Sequence, residues 1–294
     1  MQATISQPTT QSRSRRKLRL RASTVLRHVV INIFLLVVVL PIAWIMLLSV
    51  KTLPDAYSGK LLPTEPLTLS HYDYVLTRMP QLTQNLTNSL IVTIGSIVAT
   101  SICAVLAGYA LVHLKTPGRA LVITICTATL FFPTRLLSLI PIYEIQRAAG
   151  LLNSVWGLIL PYVTLNLAIS ILVMRGIFEQ IPSELAEAAR MDGCNAWQAL
   201  FLVMLPLITN GLVVLIIINF VTAWGEYLFA ATLTNDQSKR TLIVVLARAF
   251  GGVGQFSWPR LAAAYTLVIV PGVVIFALAQ RLYFKGLTEG AIKL

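Results

Sequence analysis

A short segment between two apolar stretches brings carboxylates and small residues together. Residues 175–205 contain Glu184 and Glu187, and Ala188 and Ala189 directly follow the second carboxylate. Carboxylates on a helix can pair with basic side chains of another protein, and alanines allow two surfaces to approach closely. The chemistry that these residues support is the docking of a partner by charge and shape, and we expect no catalytic residue among them.

The order of residues in this segment predicts two short helices joined by a glycine turn. A Pro-Ser pair marks a helix start, and Ser183 is a candidate cap for its free N–H groups. Gly193 follows Asp192 and can take the positive φ that ends a helix. Asn195 can cap a second short helix that ends near residue 205. We call residues 183–205 the elbow.

The remaining motifs predict neither an enzyme nor a metal site. Cysteines and histidines are few and widely spaced, unlike a metal-ligand set or a disulfide framework. They are Cys103, Cys126, Cys194, His28, His71 and His113. The chain contains no glycine-rich phosphate loop that ends in Gly-Lys-Ser or Gly-Lys-Thr. We therefore predict no cofactor, and we expect any ATP hydrolysis to take place on another chain.

The composition of the chain indicates whether the elbow belongs to a soluble protein or to a membrane protein. Of 294 residues, 56% are hydrophobic and 12% are charged, and the mean hydropathy is +0.78. A soluble domain averages about 25% charged residues, so this chain has too few charges to cover a water-exposed surface. These values exclude a soluble enzyme, a disordered chain and a nucleic-acid module. They predict an all-α protein that crosses a lipid bilayer several times.

Six apolar windows of at least 20 residues can each cross a hydrocarbon core of ~30 Å. The windows are residues 29–50, 88–112, 120–143, 152–174, 205–230 and 261–280. Only two charged residues, Arg135 and Glu226, fall inside them, and each charge inside a span costs about 2.5–3.5 kcal/mol. We predict six transmembrane helices, with a proline-punctuated outer loop over residues 51–87.

The two charges inside the spans are candidate residues of a solute pathway, because intramembrane charges usually face a polar cavity. Arg135 could instead snorkel to the interface, and Glu226 could lie at the level of the lipid headgroups. Two rings next to Glu226, those of Trp224 and Tyr227, are candidates for stacking on a sugar. Interfacial aromatic belts are the alternative explanation of such rings.

Basic residues predict the orientation of the chain. The net charge is +12, and seven basic residues lie within the first 27, a pattern typical of a cytoplasmic terminus rather than of nucleic-acid binding. Residues 1–28 would form a basic cytoplasmic tail, disordered or lying along anionic headgroups over 1–22. Residues 29–284 would form the transmembrane domain with its cytoplasmic loop at 175–205, and residues 285–294 a cytoplasmic C-terminal tail.

The elbow resembles the "EAA" signature of ABC importer permeases. That signature is Glu-Ala-Ala, three residues, Gly, nine residues, Ile or Val, one residue, and Leu-Pro. The matching residues are Glu187-Ala188-Ala189, Gly193, Val203 and Leu205-Pro206. Beyond residue 28 the chain looks like the MalG-like half of the carbohydrate-uptake permeases. It departs from them at Gly225, where the family usually has Asn, and at Arg135, where it usually has an apolar residue.

The resemblance implies the type I ABC importer permease fold in the cytoplasmic (inner) membrane of a bacterium or archaeon. Its partners would be a homologous second permease, an ABC ATPase dimer and an extracytoplasmic solute-binding protein, and its solute a carbohydrate or a carbohydrate-like compound. The resemblance also implies that the elbow contacts the ATPase. The contacting residues would be Glu184, Glu187, Ala188, Ala189, Asp192 and Gly193, with Glu187 pairing with a basic residue there. The tail Glu289–Leu294 could also reach the ATPase dimer.

Two other classes of protein stay open at this point. A stand-alone ion-coupled secondary transporter would also cross the bilayer several times, but such carriers usually show internal repeats and intramembrane relays of ionisable groups. A membrane scaffold without transport is the third possibility. Two isolated intramembrane charges fit the ion-coupled carrier poorly.

Overall fold

Long apolar runs fold as helices in this chain. A backbone N–H or C=O group in hydrocarbon finds no water, so a spanning segment satisfies its own hydrogen bonds by forming a helix. The computed structural model describes residues 10–78, 81–114, 116–251 and 257–291, and these residues form helices and connecting turns without a β-strand. The predicted all-α class is confirmed.

Fifteen α-helices follow one another in the described part of the chain. They are α1 (Thr10–Leu48), α2 (Leu53–Tyr57), α3 (Ser70–Arg78), α4 (Leu82–His113), α5 (Arg119–Phe131), α6 (Thr134–Leu137), α7 (Leu139–Ala148), α8 (Val155–Phe178), α9 (Ser183–Met191), α10 (Ala196–Gln198), α11 (Leu205–Leu207), α12 (Thr209–Trp224), α13 (Leu228–Leu233), α14 (Leu242–Gly251) and α15 (Trp258–Ala291). A π-helical segment, Ala199–Met204, joins α10 to α11.

Four of these helices are long and apolar enough to cross a membrane unaided. They are α4, α8, the Leu26–Leu48 part of α1 and the Trp258–Ile275 part of α15. Two bent pairs have the geometry of a broken span or of a re-entrant loop: α5 with Arg135–Ala148, bent by 88°, and α10–α11 with α12, bent by 80°. The six predicted windows thus correspond to four continuous helices and two bent pairs, which make six crossings if each bent pair is one span.

A proline explains the first break. Phe132, which precedes Pro133, is extended at φ −101° and ψ 148°, because the proline ring excludes the helical conformation for the residue before it. The window over 120–143 therefore ends its first helix at Phe131. A proline in an apolar window is thus a local signal for the break, but the direction in which the chain continues is not specified locally.

The terminal segments are more helical than the sequence suggested. Helix α1 begins at Thr10, so residues 10–22 are helical rather than disordered, and their predicted position along anionic headgroups stays a prediction. Residues 1–9 lie outside the described residues. Helix α4 begins at Leu82, six residues before the predicted window and inside the expected outer loop. Helix α15 continues to Ala291, which makes most of the predicted C-terminal tail an extension of the last span. Residues 292–294 lie outside the described part.

Helices α4 and α8 form the centre of the bundle and pack more extensively against each other than any other pair. A Cβ atom on Gly108 of α4 would lie 2.9 Å from the Met174 Cβ of α8, so this contact needs glycine. Helix α4 has 32 residues and is about 48 Å long. The elbow contacts its C-terminal end and residues 237–242 contact its N-terminal end. We call these the elbow end and the loop end.

A buried ion pair orders the segment between α1 and α3. The Lys51 Nζ lies 3.6 Å from the Asp55 Oδ2, and both side chains are at most 1% exposed. Lys51 also donates to the carbonyl of Lys60 at 2.7 Å, and Asp55 accepts hydrogen bonds from the backbone N–H and the hydroxyl of Thr64. Buried charges persist only when they are paired and hydrogen-bonded, so this network holds residues 51–64 in one conformation.

The same contacts make this segment sensitive to acid. The hydrogen bond from the Thr64 hydroxyl, with smaller contributions from its N–H and from Lys51, lowers the pKa of Asp55 in spite of its burial. A lowered pKa means that the folded state favours the ionised carboxylate. This stabilisation is fully present above the ordinary Asp pKa of about 4 and is lost as the pH falls through the lowered pKa.

Replacing one member of the Lys51–Asp55 pair is expected to destabilise the protein more than replacing both. Lys51→Met or Asp55→Asn leaves an uncompensated buried charge, whereas the double variant Lys51→Met/Asp55→Leu leaves none. Melting temperatures of the purified protein in detergent at pH 7 measure this order, and Asp55→Asn should also weaken the loss of stability below pH ~4. Lys60→Met, an exposed lysine, is the control, and a single variant as stable as the wild type would contradict the prediction.

Candidate functional site: the elbow and the helix ends that hold it

The elbow turns at Gly193, which has a φ of +84°. The backbone N–H of Cys194 donates to the carbonyl of Ala189 at 2.9 Å, and that of Gly193 to the carbonyl of Arg190 at 3.0 Å. These two bonds form the Schellman motif that ends α9. A residue with a Cβ atom is strained at positive φ, so the turn between α9 and α10 depends on this glycine, as predicted.

A side chain caps the second helix of the elbow but not the first. Asn195 Oδ1 accepts from the N–H of Gln198, and Gln198 Oε1 accepts from the N–H of Asn195, both at 2.9 Å. This is the reciprocal capping box, and it confirms the predicted cap. The residue that caps α9 is Pro182, without a side-chain hydrogen bond, so the expected capping by Ser183 is wrong.

The second helix is not a continuous α-helix to residue 205, because Ala199–Met204 is π-helical. Pro206 lacks the N–H that an α-helix would give to the carbonyl of Leu202. Just before it, Leu205 donates to the carbonyl of Leu200, five residues back, which widens the turn ahead of the proline. Such π turns occur frequently at functional sites.

The two sides of α9 differ in burial. Ala186 and Ala189 are 4% and 5% exposed, and they face the rest of the chain. Glu184, Glu187 and Ala188 are exposed on the other side. The predicted ATPase-contacting residues that the structure leaves exposed are Glu184, Glu187, Ala188, Asp192 and Gly193. Ala189 is the correction: its methyl group is covered by its own chain and does not face a docking partner.

A charged side chain fastens the elbow to α4. Arg190 Nη2 donates to the carbonyl of His113, the last residue of α4, at 2.6 Å. Carbonyls at a helix C-terminus lack partners within the helix and attract cations. The rings of Tyr109, His113 and Phe178 pack together next to this bond, with centroids 5.5 to 5.8 Å apart. The elbow is therefore joined to the bundle where α4 and α8 both end.

Polar side chains of α4 hold a loop at the opposite end of the same helix. Asn85 and Asn88 each donate to two backbone carbonyls of residues 237–240, at 2.8 to 3.1 Å. Ser89 Oγ accepts from the N–H of Leu242 at 2.8 Å. One helix thus contacts the elbow at its C-terminus and the loop before α14 at its N-terminus.

Glu226 lies beyond the end of α12, where its carboxylate caps α13. The residue is 5% exposed, and its oxygens accept from the N–H groups of Phe229 and Ala230 at 3.1 to 3.2 Å. The hydroxyl of Tyr162 donates to its backbone carbonyl at 3.3 Å. These N–H groups belong to the first turn of a helix, where they have no other partner. The carboxylate therefore has a local structural role, and its predicted contact with solute stays a prediction.

The other predicted pathway residues lie in two places. Trp224 stacks on Phe220 with ring centroids 5.5 Å apart, and both rings line a cavity of about 260 Å³ between α12 and α15. Tyr227 is exposed beside Glu226. Arg135 is exposed in α6, which packs against α7. Three of the four residues are thus neighbours at the end of α12, and Arg135 belongs to another part of the fold.

Sequence reasoning missed Arg190 and the Lys51–Asp55 pair. A basic residue in the last turn of a predicted helix is a known C-terminal signal, and Arg190 satisfied it, although nothing in the sequence indicated that the helix it reaches is α4. The signals for the pair were its i, i+4 spacing and the helix start at Thr52 and Pro54.

Most of the chain matches known proteins. Residues 91–289, which include the elbow, match the family described as binding-protein-dependent transport system inner membrane component. The chain is 37% identical over 270 residues to the sulfoquinovosyl glycerol transport system permease protein SmoH of Agrobacterium fabrum, covering 91% of this chain and 93% of SmoH. It is 35% identical over 257 residues to the trehalose transport system permease protein SugB of Mycobacterium tuberculosis, covering 86% and 92%.

A solved structure shows the same fold. One chain of a bacterial ABC transporter involved in the import of the acidic polysaccharide alginate superimposes with a TM-score of 0.76 at 24% identity. The superposition covers 94% of this chain and 99% of that chain. The predicted type I importer permease fold is confirmed.

Truncating the Glu226 side chain is expected to destabilise the protein because the N–H groups of Phe229 and Ala230 would lose their acceptor. We expect Glu226→Ala to cost about 1–3 kcal/mol of unfolding free energy and Glu226→Gln, which keeps one carbonyl oxygen, to cost less. Thermal unfolding in detergent measures both, with the exposed Glu144→Ala as control. A Glu226→Ala variant of wild-type stability would contradict the capping role.

Proposed function

The chain belongs to the family of binding-protein-dependent transport system inner membrane components, and we propose that it conducts a carbohydrate-like solute across the membrane as one half of an ATP-driven importer. It is an ABC importer permease. In the proposal, an extracytoplasmic binding protein delivers the solute, a homologous second permease completes the pathway, and a separate ATPase dimer hydrolyses ATP.

The observation that carries the coupling part of the proposal is the two-sided helix α9. Its buried side joins the bundle through Ala186 and Ala189, and its free side offers Glu184 and Glu187. Carboxylates form charge-assisted hydrogen bonds with Arg or Lys of a partner, and Ala188, exposed on the same side, allows close contact. We propose that this free side docks in the ATPase, with Glu187 pairing with a basic residue there.

The solute class rests on the relatives. SmoH and SugB are named for sulfoquinovosyl glycerol and trehalose, both sugar compounds, and the chain is 37% and 35% identical to them over most of its length. Solute recognition by Trp224 and Tyr227 would use stacking of a sugar face on an aromatic ring. The ion-coupled alternative fits poorly, because such carriers usually have relays of ionisable groups in the membrane, and Glu226 and Arg135 lie in different parts of the fold.

The orientation is proposed from the charges. Seven basic residues in the first 27 favour a cytoplasmic N-terminus, and six crossings would return the C-terminus to the same side. The elbow would then lie in the cytoplasm, where ATP is available. The loop that Asn85 and Asn88 hold at the other end of α4 would face the binding protein.

The function is tested with the complex reconstituted in liposomes. Co-purification of an ATPase subunit and ATP-dependent uptake of a labelled sugar, with no uptake in an ion gradient alone, are expected. Mass spectrometry of the solute carried by the partner binding protein would identify the compound. Uptake by this purified chain without an ATPase would contradict the proposal.

Changing the free side of the elbow is expected to abolish uptake while the protein remains inserted. Glu187→Lys reverses the charge that meets the ATPase, and Gly193→Pro is incompatible with the +84° φ of the turn. Uptake and ATP hydrolysis are measured in the same liposomes. The control is Glu144→Lys, the same change at an exposed site outside the elbow, where the contact with Arg147 is long at 3.9 Å. Wild-type uptake in Glu187→Lys would contradict docking through this residue.

Neutralising Arg135 is expected to weaken solute affinity, since an intramembrane charge usually faces a polar cavity and this side chain is exposed rather than engaged in the interior. We expect Arg135→Gln to raise the KM for uptake several-fold with little change in protein stability. Arg147→Gln, which removes an exposed arginine paired with Glu144, is the control. Unchanged uptake kinetics in Arg135→Gln would remove this residue from the pathway.

A further inference from the structure

Arg190 belongs to the elbow but bonds to another helix. Its guanidinium reaches the carbonyl of His113, 77 residues earlier in the chain, at 2.6 Å. The acceptor is one of the carbonyls that α4 cannot satisfy itself, and the cation also meets the negative end of the helix dipole. A hydrogen bond with a charged donor is roughly twice as strong as one between neutral groups.

Apolar packing reinforces this bond. Ala186 of α9 shares one buried cluster with Tyr109 of α4, Phe178 of α8 and Met204 of the π-helical segment. The small alanine side chain lets α9 lie close to the ends of α4 and α8. Packed interiors have few voids and transmit displacement, so the buried side of the elbow has little freedom to move apart from α4.

The neighbouring arginine lacks this connection. Arg175 bonds to Glu179 at 2.6 Å, and both residues belong to α8 or directly follow it. That ion pair stabilises the end of one helix and joins no second element. Arg175 and Arg190 therefore form a matched pair for comparison. Both are arginines in the same region, but only the side chain of Arg190 bonds to a residue of another helix.

We propose that Arg190 is a positioning residue that locks the elbow to the end of α4, so that the elbow and α4 move as one body during transport. At the other end, Asn85 and Asn88 hold residues 237–240 on the same helix. A movement imposed on the elbow thereby reaches that loop through a single stiff helix. The proposal rests on the proposed function, in which an ATPase docks on the elbow.

The first experiment measures whether Arg190 holds the elbow against the end of α4, a connection that we call the joint, independently of transport. Spin labels are placed on the native Cys103, exposed on α4, and on Met191→Cys, whose side chain on α9 is 88% exposed. Cys126 and Cys194 are replaced by alanine. Electron–electron distance measurements on the purified complex should give a narrow distribution, which Arg190→Gln broadens and Arg175→Gln leaves unchanged. Arg190→Lys, which keeps the charge but loses the planar fork, should lie between them.

The second experiment measures solute taken up per ATP hydrolysed in liposomes. Arg190→Gln is expected to hydrolyse ATP but to import about tenfold less solute per ATP, the effect of losing a charge-assisted hydrogen bond. Arg175→Gln should keep the wild-type ratio. This ratio is independent of the amount of folded complex. Arg190→Lys, expected to fall between the two, provides the measurement if Arg190→Gln assembles poorly.

The possible outcomes distinguish a failure of the Arg190 joint from a failure of the proposed function. A distance distribution that Arg190→Gln leaves unchanged would overturn the joint, whatever the transport data show. A broadened distribution with a wild-type ratio of solute to ATP would overturn its role in coupling. If the wild-type complex imported no solute with ATP, the proposed function and the positioning role would fail together, and the distances would still decide whether Arg190 holds the elbow.

Discussion

Free backbone groups at helix ends are the constraint on which this fold depends. A bundle with bent spans and short connecting helices has many helix ends, and each leaves N–H or C=O groups without a partner inside its own helix. The chain meets this need with side chains from nearby and from far along the sequence. Asn195 caps α10, and Glu226 caps α13. Arg190, which belongs to α9, donates a hydrogen bond to a carbonyl at the C-terminus of α4.

The buried charges of this protein also form hydrogen bonds with backbone groups that lack another partner. The carboxylate of Glu226 is bonded to backbone N–H groups, and Lys51 and Asp55 neutralise each other while bonding to neighbouring backbone. Because each interior charge satisfies a group that would otherwise be unpaired, a charge in an apolar window does not by itself mark a solute pathway. The exposed carboxylates of α9 have no such internal role, which makes them the better indicators of a partner.

These contacts also attach distant segments of the chain to one helix. Helix α4 runs from the loop before α14 to the elbow, and polar bonds attach it at both ends. The breaks near Pro133 and Ile208 lie outside this helix. In the proposed function, this construction would let a displacement of the elbow reach the far end of α4 through one continuous helix, while the bent helices lie elsewhere.

The sequence by itself determined the membrane environment, the all-α class, the position of the elbow, the turn at Gly193 and the cap at Asn195, because these follow from composition or from interactions within a few residues. The tertiary structure decided which side of α9 is free, and it buried Ala189, which the motif had placed on the docking surface. It also decided that Glu226 caps a helix and that Arg190 reaches His113. Those outcomes depend on groups far apart in the chain, and no local pattern specifies how distant helix ends meet.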